Sequence, residues 1–357
     1  MNGPKETLWN PSLVSAGPLD RRLRRFFVFH RRAALLRLSF ILIAFLWISL
    51  LTLRPIPGVH ALNDTGRYVA SQMDSCSTSI SEIDTSNLAW RSFDLIMRPA
   101  CVFAEPHLFM FATSLALPLG LLLFADWSRQ GTLIISSALM VSMAGFELMT
   151  NALRQGVALP FLLAGFYFDK KLPKFIFLGI AMLLHDSNWF FAPLAILIAF
   201  QSGLISKKAL AAWFLPVLAG VVYLFYVRFF SVFGTTVAMF DFYSMSYSDR
   251  PNLSFLIFVL LPIGWIFFTH ALLDRAGVSR EEQTTFAYLA VVLVGSALLI
   301  QDITYRFTMT GIVLQAFTAT RSRRFSLRTA IVISAGLIVH FLIYALVSKN
   351  VMGVING

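Results

Sequence analysis

Residues 173–201 read PKFIFLGIAMLLHDSNWFFAPLAILIAFQ, and the reading of this stretch decides the topology. It is apolar at both ends and polar in the middle, at His185-Asp186-Ser187-Asn188. As one long helix it would cross a bilayer once. As two short helices, 173–185 and 189–201, it makes a hairpin that returns to its starting side. The single helix would invert everything downstream and put Lys207 and Lys208 opposite Lys170, against the tendency of Lys and Arg to collect on one face. The hairpin is therefore predicted. Each arm has 13 residues, roughly 20 Å of helix, against a hydrocarbon core of about 30 Å. The polar break is thus expected below the outer surface. Irregular backbone at that depth is tolerated only where it is buried in protein or lines a watery cavity.

The rest of the chain fits a membrane solvent. Of 357 residues, 57% are hydrophobic and 13% charged. A soluble domain carries about 25% charged residues, so an ordinary soluble enzyme is excluded. Apolar runs fall at 39–53, 106–125, 131–149, 152–168, 173–185, 189–201, 209–227, 253–271, 284–300, 303–320 and 329–347. They do not alternate as barrel strands do. The expected fold class is all-α: a polytopic integral membrane protein of about eleven hydrophobic helical segments. A basic cytoplasmic segment (1–38) precedes one transmembrane domain (39–347), and a short tail (348–357) follows. The first apolar run starts too late for a signal peptide and lacks a small-residue cleavage site.

The formal net charge is +11. With the N-terminus cytoplasmic and the runs alternating, twenty of the 29 Lys and Arg and seven of the 18 acidic residues lie inside, net +13 there and −2 outside. The charge therefore reports orientation, and nucleic acid is not an expected partner.

Two exterior loops are long, 54–105 and 228–252. The first holds both cysteines, Cys76 and Cys101. In an oxidising space they could close a loop worth about 3 kcal/mol in the chain-entropy model; otherwise they are two unrelated thiols. The same loop carries Asp64, Arg67 and Tyr68, and the second carries Asp241 and Tyr243. Rings beside carboxylates suit sugars, by stacking plus hydrogen bonds to hydroxyls; an interfacial aromatic belt is the alternative.

Polar side chains at membrane level are functional candidates by default. Glu147, Asn151, Arg154 and Gln155 cluster, and the first three share a face if the backbone stays helical. A turn is expected between them, because 131–168 must fold back. Glu147 and Arg154 either neutralise each other or act on a substrate. Gly156 and Ala158 allow close helix contact. His185 is either a hydrogen-bonded internal histidine or an imidazole able to take a proton near pH 7. Arg306, after Tyr305, either snorkels to the interface or joins Arg154 in a bidentate phosphate clamp. There is no HExxH, CxxC, P-loop or GxSxG. The six histidines are scattered. No metal and no cofactor is expected.

The block Asn151-Ala-Leu-Arg154-Gln155-Gly156-Val-Ala158, followed by a hydrophobic helix, a basic loop and Ala181-Met-Leu-Leu-His185-Asp-Ser187, resembles the EpsG-like group of exopolysaccharide and O-antigen (Wzy-type) polymerases. That family's N-x-x-R-Q-x-x-A block precedes an H-x-S block by about 30 residues, and Arg154 and His185 stand 31 apart. Asp64 and Tyr68 look like its upstream Asp-x-x-x-Tyr, and Arg306 like its later Arg. The close match covers about 145–200. The long cysteine-containing loop fits less well.

The resemblance implies a bacterial inner-membrane polymerase acting on polyprenyl-diphosphate-linked oligosaccharide at the periplasmic or outer face, with a chain-length regulator as a further partner. His185, Glu147, Arg154 and Arg306 are then the expected catalytic residues, with His185 or Glu147 as base. Asp64, Arg67, Tyr68, Asn151, Gln155, Ser187, Tyr305, Asp241 and Tyr243 are the expected substrate contacts. A flippase or transporter is the rival from another class; it calls for inverted repeats and broken helices, and the sequence offers one such break, at 185–189. An O-antigen ligase and a membrane O-acyltransferase are the enzymatic rivals.

Overall fold

The computed structural model describes residues 18–53, 64–77, 93–95, 97–103, 105–168, 170–208, 212, 219, 256–274, 280–299, 301–322 and 325–347. These residues form helices and no strand. The elements are α1 (Pro18–Thr52), α2 (Asp64–Ser77), α3 (Pro106–Ser114), α4 (Ala116–Phe124), α5 (Gln130–Val141), α6 (Met143–Thr150) and α7 (Leu153–Tyr167). Then follow α8 (Lys171–Leu184), α9 (Ala192–Gln201), α10 (Leu261–Asp274), α11 (Arg280–Leu299), α12 (Gln301–Arg321) and α13 (Leu327–Val347). Ten of the eleven apolar runs fall on these helices, and 209–227 lies almost wholly outside the described residues.

Length and composition divide the helices. Arg31–Thr52, Pro106–Phe124 and Leu327–Leu346 are long and apolar enough to cross a bilayer, and α5 with α6 makes a fourth if counted as one bent span. Among the described residues three or four helices meet this test, which does not confirm the eleven crossings expected from the sequence. The reason lies in the remaining helices. The apolar helices Ala192–Gln201 and Leu261–Leu273 are short, and α12 carries Thr308, Thr310, Gln315 and Thr320 along its length.

The long spans sit at the periphery. In the most apolar window of α1 only 22% is buried, and Leu35, Leu38, Ile41, Leu42, Leu46 and Leu50 are exposed. A row of bare aliphatic side chains is stable against lipid, not water. α12 is the opposite case: every residue from Phe307 to Phe317 is buried. Its polar residues are tolerated because neighbouring helices surround them.

α7 and α12 run side by side in the same direction. Gln155 Nε2 donates to the Arg306 carbonyl at 2.7 Å near one end, and Arg321 Nη1 donates to the Phe166 carbonyl at 3.4 Å near the other. α8 returns antiparallel to α7, burying one stripe, Lys174, Leu178, Ala181 and Leu184. The contact is close: a Cβ on Gly165 would meet Leu178 Cγ at 2.5 Å. A 3-10 turn, Asp186–Phe191, breaks 173–201 where its polar tetrad lies. α9 then folds back, so that Phe175 packs with Ile196, Ala199 and Ile205. One end of the bundle thus gathers Leu153 and Leu184 in a single cluster with Tyr68. The other gathers Lys174, whose Nζ donates to the Gly165 carbonyl at 2.9 Å, and Arg321.

A second break interrupts the predicted 131–149 span. α5 and α6 meet at 59° around Ser142. Its Oγ donates to the Leu139 carbonyl at 2.6 Å and accepts from the Gly145 N–H at 3.2 Å, ending one helix and capping the next. Gly145 is required, since a Cβ there would lie 2.1 Å from the Leu139 oxygen. The sequence reading holds one break, at 185–189; the described residues add this one at Ser142.

Candidate functional site

The site is built on the turn between α6 and α7. α6 stops because the Glu147 carbonyl accepts twice, from the Asn151 N–H at 2.8 Å and the Ala152 N–H at 2.7 Å. Ala152 then leaves the helical region (φ −93, ψ 49) and α7 starts at Leu153. The two helices fold so tightly that a Cβ on Gly156 would lie 2.2 Å from the Leu148 oxygen. Glu147 and Arg154 therefore belong to different helices on either side of a turn.

The side chains of this turn are withdrawn from solvent. Glu147 is 1% exposed, Asn151 4%, Arg154 6% and Gln155 0%. Both carboxylate oxygens of Glu147 hold donors: Asn151 Nδ2 at 2.9 Å on Oε2, and the Tyr344 hydroxyl on Oε1. Gln155 Nε2 reaches across to α12, to the Arg306 carbonyl and to Thr310 Oγ1 at 2.6 Å. The side chain of Arg306 turns to its neighbour: Nε donates to the Tyr305 hydroxyl at 3.0 Å, with the guanidinium carbon 5.7 Å from the ring centre. α7 has no side-chain cap, so its first N–H groups add partial positive charge beside Arg154.

His185 ends α8 and is buried. Its Nδ1 lies 2.7 Å from Ser187 Oγ and accepts the Ser187 N–H at 3.2 Å. A backbone amide can only donate, so Nδ1 is the unprotonated nitrogen and Nε2 carries the hydrogen. The turn is held further by Asn188, whose Nδ2 donates to the Ala181 carbonyl at 2.8 Å. Phe190, in the same turn, packs on Phe307 of α12 at 4.4 Å between centroids, and its carbonyl accepts the Tyr288 hydroxyl.

α2 joins this end from the segment between α1 and α3. Tyr68 is buried with Phe93 and Phe109 in the cluster that contains Leu153 and Leu184, the residues preceding Arg154 and His185. Cys76 and Cys101 form a disulfide with Cα atoms 5.5 Å apart, tying the end of α2 to the short turn Arg98–Phe103. His107 Nδ1 sits 2.7 Å from the Thr52 carbonyl and fastens the start of α3 to the end of α1. Asp64 and Arg67 lie on α2, but their side chains, like Asp241 and Tyr243 altogether, fall outside the described residues.

The scattered candidates Tyr68, Glu147, Asn151, Arg154, Gln155, His185, Ser187, Tyr305 and Arg306 thus come to one end of the bundle, from α2, α6, α7, α8 and α12. A model of the EpsG family matches residues 36–355. The chain belongs to the EpsG family. No curated protein and no solved structure matches it. EpsG membership places the chain among polysaccharide-polymerase-like membrane proteins, and the match takes in every helix from the apolar part of α1 to α13.

Sequence reasoning on this EpsG-family chain missed Tyr344, Thr310 and Asn188. Thr310 and Tyr344 lie inside apolar runs with no motif around them. Asn188 carried a signal, its place in the polar tetrad, but only the fold gives it the Ala181 carbonyl.

Proposed function

We propose that the chain is a bacterial inner-membrane polysaccharide polymerase. It joins oligosaccharide repeat units carried on polyprenyl diphosphate, at the periplasmic or outer face. The observation that carries this reading is the convergence of three separate sequence blocks, around Tyr68, Arg154 and His185, at the end of the bundle away from Lys174 and Arg321. Their family membership supports it.

In the reaction, an acceptor sugar hydroxyl attacks the anomeric carbon of the donor. A new glycosidic C–O bond forms as the C–O bond to the lipid diphosphate breaks. Negative charge grows on the departing diphosphate, which leaves unprotonated. Buried Arg154, half-buried Arg306 and the uncapped start of α7 stabilise that charge. The acceptor proton passes to His185 at Nδ1, with Ser187 Oγ as the relay at 2.7 Å. One displacement inverts the anomeric configuration. Tyr68, Asp64, Arg67, Asp241 and Tyr243 contribute sugar contacts.

The test is purified protein in proteoliposomes with a polyprenyl-diphosphate-linked repeat unit. Arg154→Ala and Arg306→Ala should each lower polymer formation by about a hundredfold, the scale for losing a donor to a developing anion. Normal ladders in both, at equal expression, would reject the clamp. A lipid-linked glycan transporter is the second reading, favoured by the second helix break at Ser142. Movement of the lipid-linked unit across the proteoliposome bilayer without ladder formation would select it.

A further inference from the structure

We propose that Tyr344 is a positioning residue for the diphosphate-binding turn, acting through Glu147 on Arg154; this rests on the reading of Arg154 as a diphosphate ligand. Hydrogen bonds from the turn and from α13 meet at Glu147. Its carbonyl takes the Asn151 and Ala152 N–H groups, and its carboxylate takes Asn151 Nδ2 and the Tyr344 hydroxyl. The first three lie within the turn that launches α7. The fourth comes from α13, 197 positions away in sequence, and ties that turn to another helix. Arg154 follows Ala152 by two residues, so the orientation of this turn sets where the guanidinium points.

The hydroxyl has no packing purpose. Tyr344 is 0% exposed, with its ring beside Phe146 at 6.1 Å and Phe341 at 6.2 Å between centroids. A phenylalanine would fill the same space. Burying a phenol and a carboxylate costs free energy that their bond about offsets, so such a pair contributes little net stability. What it contributes is one geometry: the carboxylate must face α13, and the turn must follow. With both oxygens engaged and 1% of the residue exposed, Glu147 orients the turn, and the base of the proposed reaction is His185.

The experiment measures binding of undecaprenyl diphosphate, as the probe, to the full chain in nanodiscs. Tyr344→Phe should weaken binding about tenfold, the scale for a lost hydrogen bond to a charged group. Introduced into Arg154→Ala, which itself binds weakly, Tyr344→Phe should cause no further loss, because its effect runs through Arg154. Should Tyr344→Phe fail to fold, Asn151→Ala removes another side-chain donor to Glu147 and should behave alike in both backgrounds. Equal losses with and without Arg154 would mark Tyr344 as structural and overturn the proposal. Full affinity in Tyr344→Phe together with weak binding in Arg154→Ala would overturn the positioning role of Tyr344 and leave the clamp and the polymerase reading standing. Full affinity in Arg154→Ala would overturn both.

Discussion

Arg306 and Arg321 stand near opposite ends of the same helix, α12, and the chain treats them differently. Arg321 donates to the Phe166 carbonyl and lies 5.6 Å from the rings of both Tyr167 and Phe317. Its planar cation is matched to two π faces and an acceptor from α7. At the other end it is the backbone of Arg306 that is fastened, through Gln155 to its carbonyl, while the side chain rests on the phenol of Tyr305. One cation holds two helices together. The other is carried on a helix already held by its backbone. Charge counting treats the two as equal, but only the end with Arg306 also gathers buried Glu147, Asn151, Arg154 and His185.

That contrast can be broken by substitution. The largest effect is expected at Gly156. A methyl group there would meet the Leu148 oxygen at 2.2 Å, so the start of α7 must shift. Gly156→Ala should cost about 3 kcal/mol and remove most polymer-forming activity, read by thermal unfolding in detergent and by ladder length. Gly179→Ala, on α8, is the matched control: nothing lies within 4 Å of its added Cβ, and helix propensity should make it neutral or stabilising by about 0.5 kcal/mol. If both glycines respond alike, the tight turn is not what sets the site.

A smaller effect is expected from the disulfide. Cys76→Ser with Cys101→Ser should loosen α2 over the site end by about 2 kcal/mol, since the cluster of Tyr68, Phe93 and Phe109 still holds it. Proteolysis of the segment between α1 and α3 should quicken, and shorter chains should form. Unchanged proteolysis would show that the cluster alone fixes α2. The smallest effect is expected at the opposite end. Arg321→Gln should lower stability by about 1 kcal/mol and leave ladder length as it is. A polymer defect there at unchanged stability would erase the distinction between the two ends.

Much of this was legible before folding. The apolar runs mark helices because lipid offers the backbone no partner, and the tetrad at 185–188 marks the hairpin because nothing else between Lys174 and Gln201 is polar enough to end a helix. Arg154 and His185, 31 residues apart across a basic loop, fall to the same end once α7 and α8 are antiparallel. Ser142 was not legible: a serine in an apolar run breaks a helix only when Gly145 admits the Leu139 carbonyl. Nor was the number of long spans, because Thr and Gln on α12 lower its hydropathy while neighbours bury them.

By itself the sequence determined which segments are helical, which carry charge, and which short blocks hold the reactive side chains, since these follow from local composition and spacing. The tertiary structure alone decided that Glu147 faces Tyr344, that Gln155 grips the backbone of Arg306, and that Tyr68 packs with Leu153 and Leu184. Those pairings join residues tens to hundreds of positions apart, and only the packing of helices, each buried on its own stripe, brings such residues within hydrogen-bond or van der Waals reach.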